Sequence, residues 1–320
     1  MHALRVAIWI TLVGVLASGA GGASGQNYPN KPIRIVTGAA GGAADFVTRT
    51  VAQGISGALG QPTVVDNRAS GVIEGDAVAK AAPDGYTLLV TSGNLWISGF
   101  LQTAPYDVEK DLVPITQVAA SPSILVVHPQ LPVKSVRELI ALAKARPGEL
   151  NYVSLAAGST NHLAGELFKA LTGVSVVRVS YKSATVATTD LIGGQVQMMF
   201  NAVQTAAPHI KSGRLRALAV TSAQPSALFP DLPTMAATVP GYESAAIYGA
   251  FAPAKTPAAI VSLLNRTIVD YLKTPAAKER LFNAAVEVVG STPEQFAAVM
   301  KSDMAKWGKV IRDAGIQANF

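Results

Sequence analysis

A chain of 320 residues, 49% of them hydrophobic, is long enough for two domains and apolar enough to fill two cores, which argues against disorder over most of its length. Its formal charge of +6 comes from Lys and Arg that occur singly, with no basic run and no RNA-binding aromatic motif; this argues against a nucleic-acid partner and is compatible with an anionic small ligand. The absence of cysteine excludes disulfides, thiolate catalysis, zinc–thiolate sites and a lipid-modified N-terminal cysteine together.

In chain order, the first segment has Arg5, an apolar run of 11 residues from Val6 to Leu16, and then small residues, the layout of a secretory signal peptide. The run is too short for the roughly 30 Å of a hydrocarbon core. Residues 1–25 are therefore assigned as a leader, with cleavage after Ala20 or Gly25, in preference to a buried N-terminal helix. Its removal takes Arg5 with it and lowers the formal charge from +6 to +5. No later segment has the ~18 continuous apolar residues of a membrane span.

From there short β runs alternate with amphipathic helices, the pattern of α/β layers around largely parallel sheets. "IRIV" (33–36) is a strand, "TGAAGGAA" a loop, and Phe46, Val47, Val51, Ile55 and Leu59 a helical stripe that Gly60 and Pro62 end before the strand "TVVD" (63–66). A helix through Val78 and Ala81 closes at "PDGY", a turn signal, ahead of the strand "YTLLV" (86–90). Two long apolar stretches, 115–129 and 242–253, interrupt this rhythm and enclose a second α/β set of about domain size. In that set Ser135 and Glu138 form a capping box ahead of "VRELIALAKA", and the strands "LNYVS", "VSVVRVSY", "QVQMMF" and "LRALAVTS" follow. His209, just after Pro208, is placed at a helix start. Beyond 253 come helices with one short strand near "VEVVG"; Pro257 opens one helix, and Thr292, Pro293 and Gln295 cap the last. The chain is thus expected to enter one lobe, cross to a second and return, leaving a cleft at a two-strand hinge. Lobe 1 spans 27–122 with 246–320, and lobe 2 spans 123–245.

Catalytic readings find few partners. The mature chain has three histidines, His128, His162 and His209, none in a metal-ligand spacing, and no GxSxG elbow. His162 follows Ser159 by three residues, but no orienting acid is in view, and a local packing or capping role is preferred to a nucleophile pair. The glycines at 38, 41 and 42 miss the GxGxxG spacing of a dinucleotide fold, Asp66 comes late for it, and no P-loop motif exists. No catalytic residue, metal or cofactor is assigned. What the halves share is a strand that feeds a small-residue loop and opens a helix: "TGAAGGAAD" in one and "SLAAGSTNH" in the other. Small side chains let backbone N–H groups come close to a ligand, and helix N-termini carry unsatisfied donors with about half a positive charge. Two such termini facing one cleft would hold an anion without Lys or Arg; ordinary βα turns are the alternative.

These segments resemble those of the extracytoplasmic receptors of tripartite tricarboxylate transporters, the Bug or TctC family. The resemblance rests on "YPNKPIRIV", "AVAKAAPDGYTLLV", "PYDVEKDLVPIT", "LPVKSVRELIALAKARPGELNY", "GSTNHLAGELFK", "DLIGGQVQMMF", "PHIKSGRLRALAVTS" and "FAPAKTP", in that order along nearly the whole mature chain. It implies a two-lobed periplasmic binding protein, type II-like, that closes on a small organic carboxylate and delivers it to membrane permease subunits. The receptor is expected in the periplasm, as a monomer and without a cofactor; a periplasmic enzyme acting on a carboxylate, or a receptor for a membrane sensor, are the alternatives. Carried over position by position, it implies a clasp of Gly38, Ala39, Ala40, Gly41 and Gly42, with Asp45 as either a cap or a contact, then Thr91, Ser92 and Asn94. From the second half come Ala157, Gly158, Ser159, Thr160 and Asn161, then Ser180, Ser183 and Asn201, with Tyr248 in the return crossover. The family's "PFPPGG" is here "TGAAGG", its "YKG..PA" is "YKSATVA", and Trp96 stands where a small residue is usual. Volume lost at Gly38 and aromatic surface at Trp96 suggest a larger or aromatic carboxylate in preference to a short amino acid, with a packing role for Trp96 as the alternative; the ligand is expected to be a di- or tricarboxylate or an aromatic carboxylate.

Overall fold

The computed structural model describes residues 28–68 and 71–317, so the leader assigned to residues 1–25 lies outside the described residues. Strand β1 (Ile33–Thr37) is almost wholly buried, as an apolar run between two helical layers should be. It feeds the glycine loop and helix α1 (Ala43–Leu59), whose buried stripe includes Val47, Val51 and Ile55 and whose end is a left-handed Gly60, with its N–H on the Ser56 carbonyl at 3.1 Å. Strand β2 (Thr63–Asn67), helix α2 (Gly71–Ala79) and strand β3 (Thr87–Ser92) follow, and β2 and β3 flank β1 in parallel register. This is the βαβ arrangement that brings the carboxyl ends of β1 and β3, and the helix N-terminus after β1, to one rim.

A short helix α3 (Asn94–Ile97) and another, α4 (Val108–Asp111), lead into β4 (Leu112–Val127). At 16 residues β4 is long enough to serve two sheets. Its first part pairs antiparallel with β9 (Ala245–Pro253) from Leu112 to Pro122, and its second part pairs with β7 (Met198–Ala202) and β8 (Arg216–Val220) from Ser123 to Val127. The apolar stretch read as starting at 115 thus begins at Leu112. Register shifts near Thr116, Ala119 and Val126 give β4 the extra twist that bulges confer where a strand leaves one sheet for another.

The second half repeats the layout. Helix α5 (Val136–Ala145) starts at Ser135, whose side chain accepts from Glu138 N at 3.2 Å. Glu138 does not reach back to Ser135 N; its Oε2 accepts instead from Lys134 N at 2.6 Å, one residue earlier. Strand β5 (Asn151–Ser154) lies parallel to both β6 (Val177–Ser180) and β7. Helix α6 (Thr160–Thr172) joins β5 to β6, and α7 (Ala184–Ile192) joins β6 to β7. Helix α8 spans Val203–Lys211, so Pro208 and His209 close a helix rather than start one: the chain turns helical directly after β7, and Pro208 merely forgoes one bond near the C-terminus. The ten strands of the described residues run β2-β1-β3-β9-β4-β7-β5-β6, with β8 and β10 (Glu287–Val288) added on β4. The fold class is mixed α/β.

Helices α9 (Ala258–Leu272), α10 (Pro275–Asn283) and α11 (Pro293–Asp313) end the chain. Thr292 and Gln295 cap α11 reciprocally, and Phe296, Met300, Trp307 and Ile311 line its buried face. That face joins one core cluster to Trp96 and Phe251 on one side and Leu163, Leu167 and Phe168 on the other. At roughly 2 kcal/mol per large apolar side chain buried, α11 is a brace across both halves.

Candidate functional site

The two small-residue loops meet at one cavity. It measures about 360 Å³, the size of a small organic molecule. Gly38, Ala39, Gly42, Ala43 and Ala44 line it from the β1–α1 side, Thr91, Ser92, Gly93 and Asn94 from the end of β3, Thr160 and Leu163 from α6, and Ala245 to Tyr248 from the return strand β9. Of the residues expected there, Gly38, Ala39, Gly42, Thr91, Ser92, Asn94, Thr160 and Tyr248 line the cavity.

Local bonds explain which of the others stand back. Gly41, left-handed at φ 79°, turns its N–H onto Asp45 Oδ2 at 3.0 Å. Asp45 is buried and also accepts from Arg49 Nε at 3.0 Å and Asn67 Nδ2 at 2.9 Å, while Asn67 Nδ2 reaches the Gly38 carbonyl at 2.8 Å. Burial pushes the Asp45 carboxyl up, but the bonds from Arg49, Asn67 and Gly41 outweigh it and hold the group below the usual carboxylate range. Asp45 is therefore the cap that sets the glycine loop. Ala40 and Gly41 are exposed and are not among the residues lining the cavity.

The second loop is fixed in the same manner. His162 Nδ1 accepts from Gly158 N at 3.1 Å, Asn161 Oδ1 accepts from Leu155 N at 3.2 Å and from Ser159 Oγ at 2.7 Å, and Ser159 N donates to the Ala156 carbonyl. Burial, reinforced by Arg178, lowers His162 to about 4, so it is a neutral acceptor and a cap. Gly158, at φ 75°, packs against Leu101 from the first half. Ala157 lines a separate polar cavity with His162, Glu166 and Arg178, so Ala157, Gly158, Ser159 and Asn161 shape the loop while Thr160 presents it. Ser180 and Ser183 are exposed away from the cavity. Asn201 is buried, with no protein partner for Nδ2, and does not line the cavity either.

Trp96 is 2% exposed and packs into the core instead of the cavity wall, with Phe251 and Phe296 each 6.2 Å away by ring centroids. Its Nε1 donates to Asp303 Oδ2 at 2.9 Å. Neither the space at Gly38 nor the ring at Trp96 is thus open to an aromatic ligand, because Glu74 Oε2 lies 3.1 Å from where a Cβ on Gly38 would be. Glu74, Asp303 and Trp307 are lining residues that motif reading missed. A signal existed: Glu74 precedes core Val78 by four residues, and Asp303 precedes Trp307 by four, so each acid lies on the apolar face of its helix. Tyr248 is a neutral O–H group here, its phenol pushed up to about 12 by burial. Among the described residues no Lys or Arg lines the cavity. Among the described residues no group of three or more His, Cys, Asp or Glu is placed to hold a metal.

A mixed α/β chain with a cavity at the carboxyl ends of its parallel strands, lined by small residues at two helix N-termini, has the form of a solute-binding protein. The model of the tripartite tricarboxylate transporter family receptor matches residues 47–316, and the chain belongs to that family, which consists of solute-binding receptors. It is 38% identical over 317 residues to Protein BugT of Bordetella pertussis, covering 97% of this chain and 96% of that one. Among solved structures, R. palustris Rpa4515 with adipate is 35% identical with a TM-score of 0.73, covering 91% of this chain and 99% of that chain. MatC from Rhodopseudomonas palustris with bound malate is 27% identical with a TM-score of 0.68, covering 89% of this chain and 100% of that one.

Proposed function

We propose that this receptor holds a small organic carboxylate between two lobes, residues 27–122 with 246–320 and residues 123–245, and releases it unchanged to the permease subunits of a tripartite tricarboxylate transporter. The observation that carries this reading is the meeting of two helix N-termini, at Ala43 and Thr160, on one cavity free of Lys and Arg. Each terminus offers first-turn N–H groups and about half a positive charge, enough to orient a carboxylate. The carboxylates bound by Rpa4515 and MatC support the ligand class. The leader-like residues 1–25 support export to the periplasm, and among the described residues no helix is long and apolar enough to cross a membrane. Since contacts come from both halves of the chain, the ligand favours the closed arrangement by its differential affinity, and the receptor acts as a monomer.

The test uses Ala43→Glu. A carboxylate in the first turn of α1 suits the helix dipole by about 0.3–1 kcal/mol, so the fold keeps its stability. The same charge in the cavity repels an anionic ligand. Titration calorimetry with adipate and malate is expected to give binding to the wild type and at least a tenfold loss in the variant; equal affinity would remove the α1 terminus from the site. Native mass spectrometry before and after incubation is expected to recover the ligand at unchanged mass.

A further inference from the structure

Glu74 is a cavity group whose chemistry the carboxylate reading does not use. It sits on α2 at 2% exposure and lines the cavity beside Gly38. Its Oε1 accepts from the Thr91 hydroxyl; its Oε2 is buried and has no protein partner. The other acid at the cavity, Asp303, is satisfied on both oxygens, by Trp96 Nε1 at 2.9 Å and Lys306 Nζ at 3.0 Å. The titratable groups around Glu74 are Tyr106, Asp76 on its own helix and Asp303 across the cavity, none of them a cation. A carboxyl buried without a countercharge is costly, and the cost is relieved by a proton or by a cation brought from outside. Burial does push the Glu74 carboxyl up, against the Thr91 bond that favours its ionised form.

We propose that Glu74 Oε2 is the acceptor for a cationic N–H group of the ligand, so that the cavity takes an amino-carboxylate, its carboxylate at the helix N-termini and its ammonium on Glu74. This rests on the carboxylate reading and narrows it. The glycine at position 38 is part of the same device, because a Cβ there would press on Oε2 and close the approach to it. The two ends of such a ligand match the two kinds of wall: backbone donors on the loops and a lone buried acceptor on α2. A simple dicarboxylate such as adipate can still bind at the helix N-termini, but more weakly than an aminated ligand, because its second negative charge faces Glu74.

The experiment is calorimetry at neutral pH on the mature protein with matched pairs: γ-aminobutyrate and butyrate, ε-aminocaproate and caproate, glutamate and glutarate. At least one aminated member is expected to bind about tenfold tighter than its partner. Glu74→Gln, which keeps the size and the bond to Thr91, is expected to bring that ratio to within about twofold. If the unaminated members bind as tightly in the wild type, the carboxylate reading stands and the role of Glu74 is overturned. Tighter binding of the unaminated members, weakening as pH rises, also overturns it, since Glu74 would then be a neutral donor. If no member of any pair binds, the role of Glu74 is overturned, and the carboxylate reading fails with it only where adipate and malate give no binding either. The wild-type ratio decides without the variant, so misfolding of Glu74→Gln leaves the test intact.

Discussion

His162 ties the second loop to its helix, and its protonation should loosen that tie in a defined pH range. The imidazole is 3% exposed and accepts through Nδ1 from Gly158 N at 3.1 Å, a bond the protonated ring cannot accept. Burial and the nearby Arg178 lower it from 6.5 to about 4. Because the folded value is the lower one, the unfolded chain binds more protons as pH falls below 6.5. The stabilising contribution is complete above that value and is lost progressively as pH falls toward 4. A shift of this size corresponds to about 3 kcal/mol when complete, of which roughly 2 kcal/mol is gone by about pH 5. His162→Asn places Oδ1 where Nδ1 stood, so it keeps the acceptor and removes the titration. Urea unfolding of both proteins across this pH range is expected to show the variant gaining about 2 kcal/mol on the wild type between neutral pH and about pH 5. Parallel stability curves would refute the reasoning, as would an NMR titration that finds the ring protonating near 6.5 in the folded state.

Trp96→Phe keeps an aromatic ring against Phe251 and Phe296 but withdraws the Nε1 donor from Asp303, leaving a buried carboxylate oxygen unpaired. It is expected to cost about 1–3 kcal/mol in denaturant unfolding, and a change below about 0.5 kcal/mol would show the bond to be expendable. Gly158→Ala forces a side chain into a left-handed position against Leu101. The expected loss is about 1–2 kcal/mol from the backbone alone, together with weaker ligand binding because Thr160 is displaced; unchanged melting and affinity would refute it.

Most of the framework was legible because hydrophobic period and cap residues report local structure directly. Gly60 ends α1 and Thr292 with Gln295 opens α11 as their residue types require. The two apolar stretches stood out because each is too long and too apolar for a half-exposed strand; they are the strands β4 and β9, and β4 serves two sheets. The loops were legible too, but only as loops: which of their N–H groups remain free depends on side chains that bond back. Gly41 N goes to Asp45 and Gly158 N to His162, so these two N–H groups are engaged within the chain. Proline misled at 208, where a helix-start preference was read into a residue near a helix end. The cavity's far walls were hidden for a different reason. Asp303 and Trp307 arrive from α11, some two hundred residues beyond Trp96 in the chain, and no local pattern encodes that meeting.

The lack of cations at the cavity bears on what a receptor has to do after binding. A buried Arg or Lys facing the ligand would be left unpaired each time the ligand departs, at a cost of several kcal/mol, and release would be slow. Backbone N–H groups at a helix terminus carry only partial charge and return to water at little cost when the site opens. Asp45 and His162 fit the same logic: each fixes its loop from behind, so the donors keep their geometry whether or not a ligand is present. The exception is Glu74, a buried acid in the first turn of α2 whose Oε2 has no protein partner. A ligand cation would satisfy it only while bound. With the ligand gone, burial still pushes that carboxyl up, so its neutral form is favoured more than that of a free carboxylate.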